Sequence, residues 1–308
     1  MSKTEEVIVT VSIDTECDHD VNWVRSKPLA FESITEGVPN RLQPAFEQVG
    51  AVPTYLLTVE VMEDEPSVEA LRGLNGSFEY GTHLHAAFIE PEKKFHDYAG
   101  IDSPDFQCSY APEIEYQKLK NLTELFEHRF GYKPTSFRAG RYGASADSIN
   151  SLERLGYKVD TSVTPKIRWT EPNAVVDFRK APDQPYFPAA GKIAEAGPHS
   201  STRILEAPVT VKPRYFRDPR WFRPWFASVD QMKEIFRYHL KKHSNSRVVS
   251  INMMFHSMEI IEKASPYPQT PDDVKRFIDD MQQALHWCGK EGARFAPLSD
   301  LYEAFQGN

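Results

Sequence analysis

The sequence predicts a single α/β domain, with its polar residues placed as a (β/α) barrel would gather them, from three observations. Strand-like and helix-like segments alternate over all 308 residues, with no Gly- or Ser-rich linker between them. Two apolar runs, Val7 to Ile13 and Arg247 to Phe255, do not alternate with polar residues, as expected of parallel strands covered on both faces. Charged or imidazole side chains follow several strand candidates, and in a barrel the C-terminal strand ends converge on one mouth.

In chain order, Val7–Ile13 is the first strand, followed by shorter candidates at Val52–Leu57, Phe78–Gly81, Thr135–Arg138, Tyr157–Asp160 and Ile204–Val211. Arg247–Phe255 and Arg294–Ala296 complete the set. A helix is expected over Glu113–Phe130, where Ile114, Leu119, Leu122, Leu125 and Phe126 recur and Gly131 stops it. Ser145–Leu155 ends the same way at Gly156. Ser228–His243 opens on a capping serine and keeps Lys241, Lys242 and His243 in its last turn, where cations suit the helix dipole. A fourth helix opens at Thr270-Pro271 and runs to about Cys288.

Hydrophobic residues make up 40% and charged residues 26%, a globular balance that leaves no room for a disordered or fibrous chain. The net charge of −8 argues against general nucleic-acid binding, which shows a basic excess. Cys17, Cys108 and Cys288 are few, odd in number and far apart, which suits a reducing compartment. The start of the chain has no secretory pattern and no apolar run reaches the ~20 residues of a membrane span, so a cytoplasmic protein is expected.

Polar residues gather where strands end. Asp14 and Glu16 lie two apart, so both carboxylates point to one side of extended chain, although a solvated loop would look the same. His83 and His85 share that spacing and could reach one metal ion together. Arg138-Ala139-Gly140-Arg141-Tyr142-Gly143 combines glycines with arginines able to orient a carboxylate, or is simply a structural turn. His256 ends the second apolar run; such a histidine is often a satisfied core residue, but at a polar mouth it is a candidate general acid. Lys212–Phe226 holds five basic residues, six aromatics and three prolines. It reads as a long irregular loop: a lid, an oligomer contact, or a surface for a sugar, a phosphate or a membrane interface, with Trp221 and Trp225 available to stack.

Taken in order, these segments resemble the motifs of the polysaccharide deacetylases, the NodB-homology group of carbohydrate esterases. Val11-Ser12-Ile13-Asp14-Thr15-Glu16 is similar to the family's first motif, and Glu79-Tyr80-Gly81-Thr82-His83-Leu84-His85 to its second. Phe137–Gly143 is similar to the third, Gly156–Asp160 to the fourth, and Met253–His256 to the last. The sequence departs from the family at Thr15, where an acidic ligand is usual, with Glu16 as the nearest replacement. Ala87 stands where the second histidine is expected, and His85 lies two residues before it. Gly140-Arg141 stands where proline is common.

The resemblance implies a distorted (β/α) barrel of the polysaccharide deacetylase type and metal-dependent hydrolysis of an N-acyl group on an amino sugar. It implies Asp14 as general base oriented by Arg138, and His256 as general acid with Asp160 as its carboxylate partner. Adapted to this chain, the metal set is Glu16, His83 and His85 around a divalent cation, zinc by choice. Tyr142, Arg141, Trp221 and Trp225 are the expected substrate-binding residues, and a surface-polysaccharide precursor the expected substrate. Two other readings fit the same residues: a glycoside hydrolase pairing Asp14 or Glu16 with Glu206 or Glu259, and a metal-free carbohydrate- or partner-binding barrel.

Overall fold

The first apolar run becomes β1 (Glu6–Thr15), with every residue from Ile8 onward buried. The computed structural model describes residues 4–94, 106–171 and 174–306. After β1 come β2 (Pro53–Leu57), β3 (Glu79–Leu84), β4 (Ser136–Ala139) and β5 (Val159–Asp160). Two antiparallel hairpins follow, β6 (Arg168–Glu171) with β7 (Ala174–Asp177), and β8 (Pro188–Ala189) with β9 (Lys192–Ala196). Next are β10 (Leu205–Glu206), the hairpin β11 (Val211–Arg214) with β12 (Arg217–Trp221), then β13 (Val248–His256) and β14 (Arg294–Phe295). Among the described residues one curled parallel sheet runs β10-β5-β4-β3-β2-β1-β13, with β14 beside the start of β1.

Register decides what meets at the mouth. Asp14 lies opposite His256 in the β1–β13 pairing, and His83 opposite Arg138 in the β3–β4 pairing. The open edges approach each other after β10, where Thr210 donates its backbone N–H to the Asn252 carbonyl (3.1 Å). Gln184 covers the outer side of β13 with its side-chain amide, accepting from Ser250 N (2.8 Å) and donating to Ser250 O (3.0 Å). The amide thus stands in for a neighbouring strand and quenches an exposed edge.

The predicted helices form with their caps. They are α4 (Pro112–Phe130), α5 (Ala146–Leu155), α6 (Val229–Lys242) and α7 (Pro271–Lys290), after shorter α1 (Gln43–Val49), α2 (Val59–Glu63) and α3 (Glu65–Arg72) and before α8 (Leu298–Gln306). Ser145, Ser228 and Thr270 each close a capping box, and Gly131 and Gly156 end α4 and α5 at φ of 80° and 92°. A π-helical stretch, Ser33–Leu42, packs Ile34, Val38 and Leu42 into the core ahead of α1. Its pattern is obscured in the sequence by Pro39, and that of α1 by Pro44.

Two strand expectations are corrected. Ile204–Val211 breaks after Glu206, because Pro208 lacks the N–H a ladder needs, and Val211 starts the next hairpin. Lys212–Phe226 is an antiparallel ribbon over most of its first ten residues rather than an irregular loop. A two-stranded ribbon has free outer edges, so Pro213 and Pro219 remove no ladder bond there that a neighbour requires.

Gly81 shows how tightly β3 is held between β2 and β4. A Cβ there would lie 2.5 Å from the Ser136 carbonyl oxygen and 2.7 Å from Leu56 Cδ2. Gly81→Ala is therefore expected to cost about 1–3 kcal/mol, as overpacking does. Thermal unfolding followed by circular dichroism should show the midpoint fall by several degrees.

Candidate active site

The C-terminal ends of β1, β3, β4 and β13 surround a cavity of about 350 Å³. The chain beyond β1 folds back over it through a bridge between His19 and Arg25. Asp18 anchors that return by accepting from the backbone N–H groups of Glu32 (2.7 Å) and Ser33 (3.2 Å).

Arg138, fully buried on β4, donates from Nη1 to Asp14 Oδ1 (2.5 Å) and from Nη2 to Ser12 Oγ (2.5 Å). Burial alone would raise the Asp14 carboxyl, but Arg138, His83 and His256 outweigh it and hold the group below its ordinary value. Asp14 therefore stays ionised. Glu16 is held well below its ordinary value because His85, His19 and Arg25 likewise outweigh its burial. Arg25 donates to Glu16 Oε2 (3.0 Å) and lies 3.1 Å from His85 Nδ1. Burial lowers His83 to about 4 and His19 to about 3, so both imidazoles are neutral near pH 7.

The donor set fits a divalent cation. Glu16, His83 and His85 each present one ligand atom, and the three lie within 4.8 Å of one another. Nδ1 of His83 is 2.9 Å from the Arg138 carbonyl, which can only accept; this fixes the proton there and turns the Nε2 lone pair to the cavity. Both ring nitrogens of His19 are buried without a hydrogen-bond partner, and its Nε2 is 3.7 Å from Glu16 Oε2. An orphaned neutral imidazole beside a carboxylate is chemistry that a cation with nitrogen and oxygen ligands would satisfy. A second group, Asp183, His239 and His243, has ligand-type spacing on α6 and the loop before β8. There Asp183 already holds Lys242 (2.5 Å) and His243 (3.0 Å), a closed ion-pair network.

Of the residues singled out in the sequence, Asp14, Glu16, His83, His85, His256, Arg141 and Tyr142 line the cavity, and Arg138 lies directly beneath. Tyr142 stacks on Trp169 (5.5 Å between centroids) and donates its hydroxyl to Met254 Sδ (3.2 Å). Arg141 and Tyr142 both adopt left-handed φ, 51° and 62°, which sets the turn that turns Tyr142 inward.

Other placements differ from expectation. Asp160 is not the partner of His256: it accepts from Ser162 (2.5 Å) and faces Glu206 in the buried floor. Glu259 takes that place, its Oε1 lying 2.8 Å from His256 Nδ1 and paired with Arg223. The reason is local, since the turn after β13 brings residue 259 back over residue 256. Trp225 stacks on Phe277 and Tyr267, away from the cavity, and Trp221 contacts Tyr142 from behind without lining the cavity. Glu206 and Glu259 are fully buried, and neither opens into the cavity as the second acid of a glycosidase. Trp23, Trp169, His19 and Arg25 belong to the site without having been selected, and Glu259, singled out only as a possible second acid of a glycosidase, sits behind His256 instead.

This is the fold of the polysaccharide deacetylases. A probable polysaccharide deacetylase from Pseudomonas aeruginosa PAO1 superposes with a TM-score of 0.58 at 11% identity, covering 99% of this chain and 92% of that one. A putative polysaccharide deacetylase from Mycobacterium smegmatis gives 0.52 at 13% identity, covering 100% and 92%. The Puue allantoinase gives 0.56 at 11% identity, covering 100% and 92%. Comparison with protein-family models gave no match, and comparison with curated proteins gave none either. The structural kinship is therefore one of fold.

The floor of the site makes a pH prediction. Burial, then the negative charge of Asp160, raises Glu206 well above its ordinary 4.5. The folded chain keeps a proton that the unfolded chain gives up, so this group's contribution to stability falls as pH rises from there towards the folded value. Glu206→Gln, which keeps an NH donor for Asp160, should remove that loss. Urea unfolding at a series of pH values should show the variant gaining on the wild type as pH rises above about 5.

Proposed function

We propose that this protein is a metal-dependent hydrolase that removes an N-acyl group, N-acetyl by preference, from an amino sugar. One observation carries the reading: a single cavity joins the Glu16–His83–His85 ligand set to a clamped carboxylate, Asp14, and a carboxylate-backed imidazole, His256. The polysaccharide deacetylases among its structural neighbours support it. A bound cation, zinc in this proposal, would supply Lewis acidity at the acyl carbonyl.

The chain's own residues do the rest. Asp14, kept ionised by Arg138, takes the proton from the attacking water. His256 is oriented through Nδ1 by Glu259, which leaves Nε2 facing the carboxylates, 3.8 Å from Asp14 and 3.7 Å from Glu16. From that position Nε2 gives a proton to the departing amine. Trp23, Trp169 and Tyr142 form apolar walls suited to the face of a sugar ring, and Arg141, paired with Glu171 (3.0 Å), stands at the rim. A cavity of about 350 Å³ suits one sugar unit, such as that of a surface-polysaccharide precursor.

Metal analysis and kinetics on acylated amino sugars test this. Wild type should carry about one zinc or similar ion per chain, and His83→Ala with His85→Ala should lose it. Asp14→Asn should keep the metal and lower kcat by about 10²–10⁴. Little metal in wild type after zinc reconstitution, or deacylation that survives chelation, would sink the mechanism. Glu259→Gln should lower kcat by about 10²-fold while KM and metal content stay near wild type, the mark of a residue acting through His256.

A further inference from the structure

The hairpin β11–β12 carries the most exposed aromatic residues of the described chain. Tyr215 and Phe216 at its tip have fractional exposures of 94 and 105%, whereas other large hydrophobics on the surface lie at 49% or below. Phe216 also adopts a left-handed φ of 54°, a position glycine or asparagine would fill at less steric cost. Apolar surface and backbone strain are both spent here without any contact in return from the rest of the molecule.

The flanks are cationic. Arg214 and Arg217 bracket the two rings and pair with each other across the ribbon. Neither forms an ion pair among the described residues; Arg214 donates only to the Asp218 carbonyl (2.7 Å). Lys212 and Arg220 lie nearer the base, where Glu234 engages both. This basic tip belongs to a chain of net charge −8, so it is a local inversion of the molecule's field. The base is tied to the site: Trp221, at the end of β12, contacts Tyr142 of the cavity wall (5.9 Å). Five residues of extended chain place the tip roughly 17 Å from that contact.

We propose that the Tyr215–Phe216 tip docks the protein on an anionic phospholipid surface, with both rings in the headgroup layer and Arg214 and Arg217 against lipid phosphates. Two rings on a two-residue turn are far too little area for a stable protein interface, which takes roughly 800 Å² from each partner. They suffice for shallow insertion into a bilayer interface, where aromatic rings partition and arginines add attraction to anionic lipid. Docking there would present the cavity to substrate held at a membrane. It stands apart from the deacylase reading, because vesicle binding reads the hairpin whether or not the cavity turns over.

The test is co-sedimentation of the full chain with sucrose-loaded vesicles of phosphatidylcholine alone, or of phosphatidylcholine with phosphatidylglycerol. Wild type should pellet with the anionic vesicles at low salt, and high salt should release most of it. Tyr215→Ser with Phe216→Ser should weaken binding about tenfold or more with an unchanged melting temperature. Arg214→Glu with Arg217→Glu should erase the preference for phosphatidylglycerol. Three outcomes overturn the proposal: no pelleting of wild type with either vesicle, equal pelleting of the serine variant, or a Tyr215- and Phe216-dependent dimer in light scattering without vesicle binding. The last would assign the tip to a second copy of the chain.

Discussion

Everything around the cavity is arranged about one buried cation. Arg138 is fully enclosed at the centre of the sheet, and a guanidinium in that position costs many kcal/mol unless its donors and its charge are met. Its donors reach β1 and the chain just beyond β5: Ser12 and Asp14 on β1, and the carbonyl and hydroxyl of Thr161 after β5. Asp14, Asp160 and Glu206 all lie within its electrostatic reach. Three carboxylates around one guanidinium cannot all be charged. The clamp on Asp14 keeps that carboxylate ionised at the mouth, and the surplus is relieved at the floor, where Glu206 retains a proton. Arg138 thus holds Asp14 ionised at the mouth, while burial and the Asp160 charge keep the proton on Glu206 at the floor.

How much of this was legible follows from which forces are local. β1 and β13 are unalternating apolar runs, so their burial and the polar residues at their ends could be read directly, and with them Asp14 and His256. The helices with caps were legible because a cap is a short-range hydrogen bond between neighbours in sequence. The early helical stretch was hidden because Pro39 and Pro44 contradict the helical pattern that packing later enforces. The errors at the site share one cause, a chain path that turns back. Glu259 reaches His256 only through the short turn after β13, and His19 and Arg25 reach Glu16 only because Asp18 pins the return segment. Aromatic density pointed to Trp221 and Trp225, yet the tryptophans lining the cavity are the isolated Trp23 and Trp169, carried in by that return segment and by β6.

The same geometry bears on two of the three departures from the family's motifs, those at Thr15 and at Ala87. In extended chain, residues two apart face the same way and stand roughly 6.6 Å apart along the strand. Asp14 and Glu16 therefore form two tiers on β1 and its extension, and His83 and His85 form two tiers on β3 and its extension. The tiers match: His83 Nε2 is 3.8 Å from Asp14 Oδ2, and His85 Nε2 is 3.2 Å from Glu16 Oε2. An acidic side chain one residue further out, at Glu16, is matched across the strands by a histidine drawn in to His85. The longer glutamate side chain spans what remains. His256 spans both tiers, with Nε2 3.8 Å from the lower carboxylate and 3.7 Å from the upper. The lower tier rests on Arg138 and is fixed; the upper tier rests on Arg25 and the His19 loop, which are supplied by a turn. Each substitution looks disruptive when read singly along the sequence. Read as a pair across two strands, they leave one carboxylate held from below and a second carboxylate held from the side, with the His256 imidazole between them.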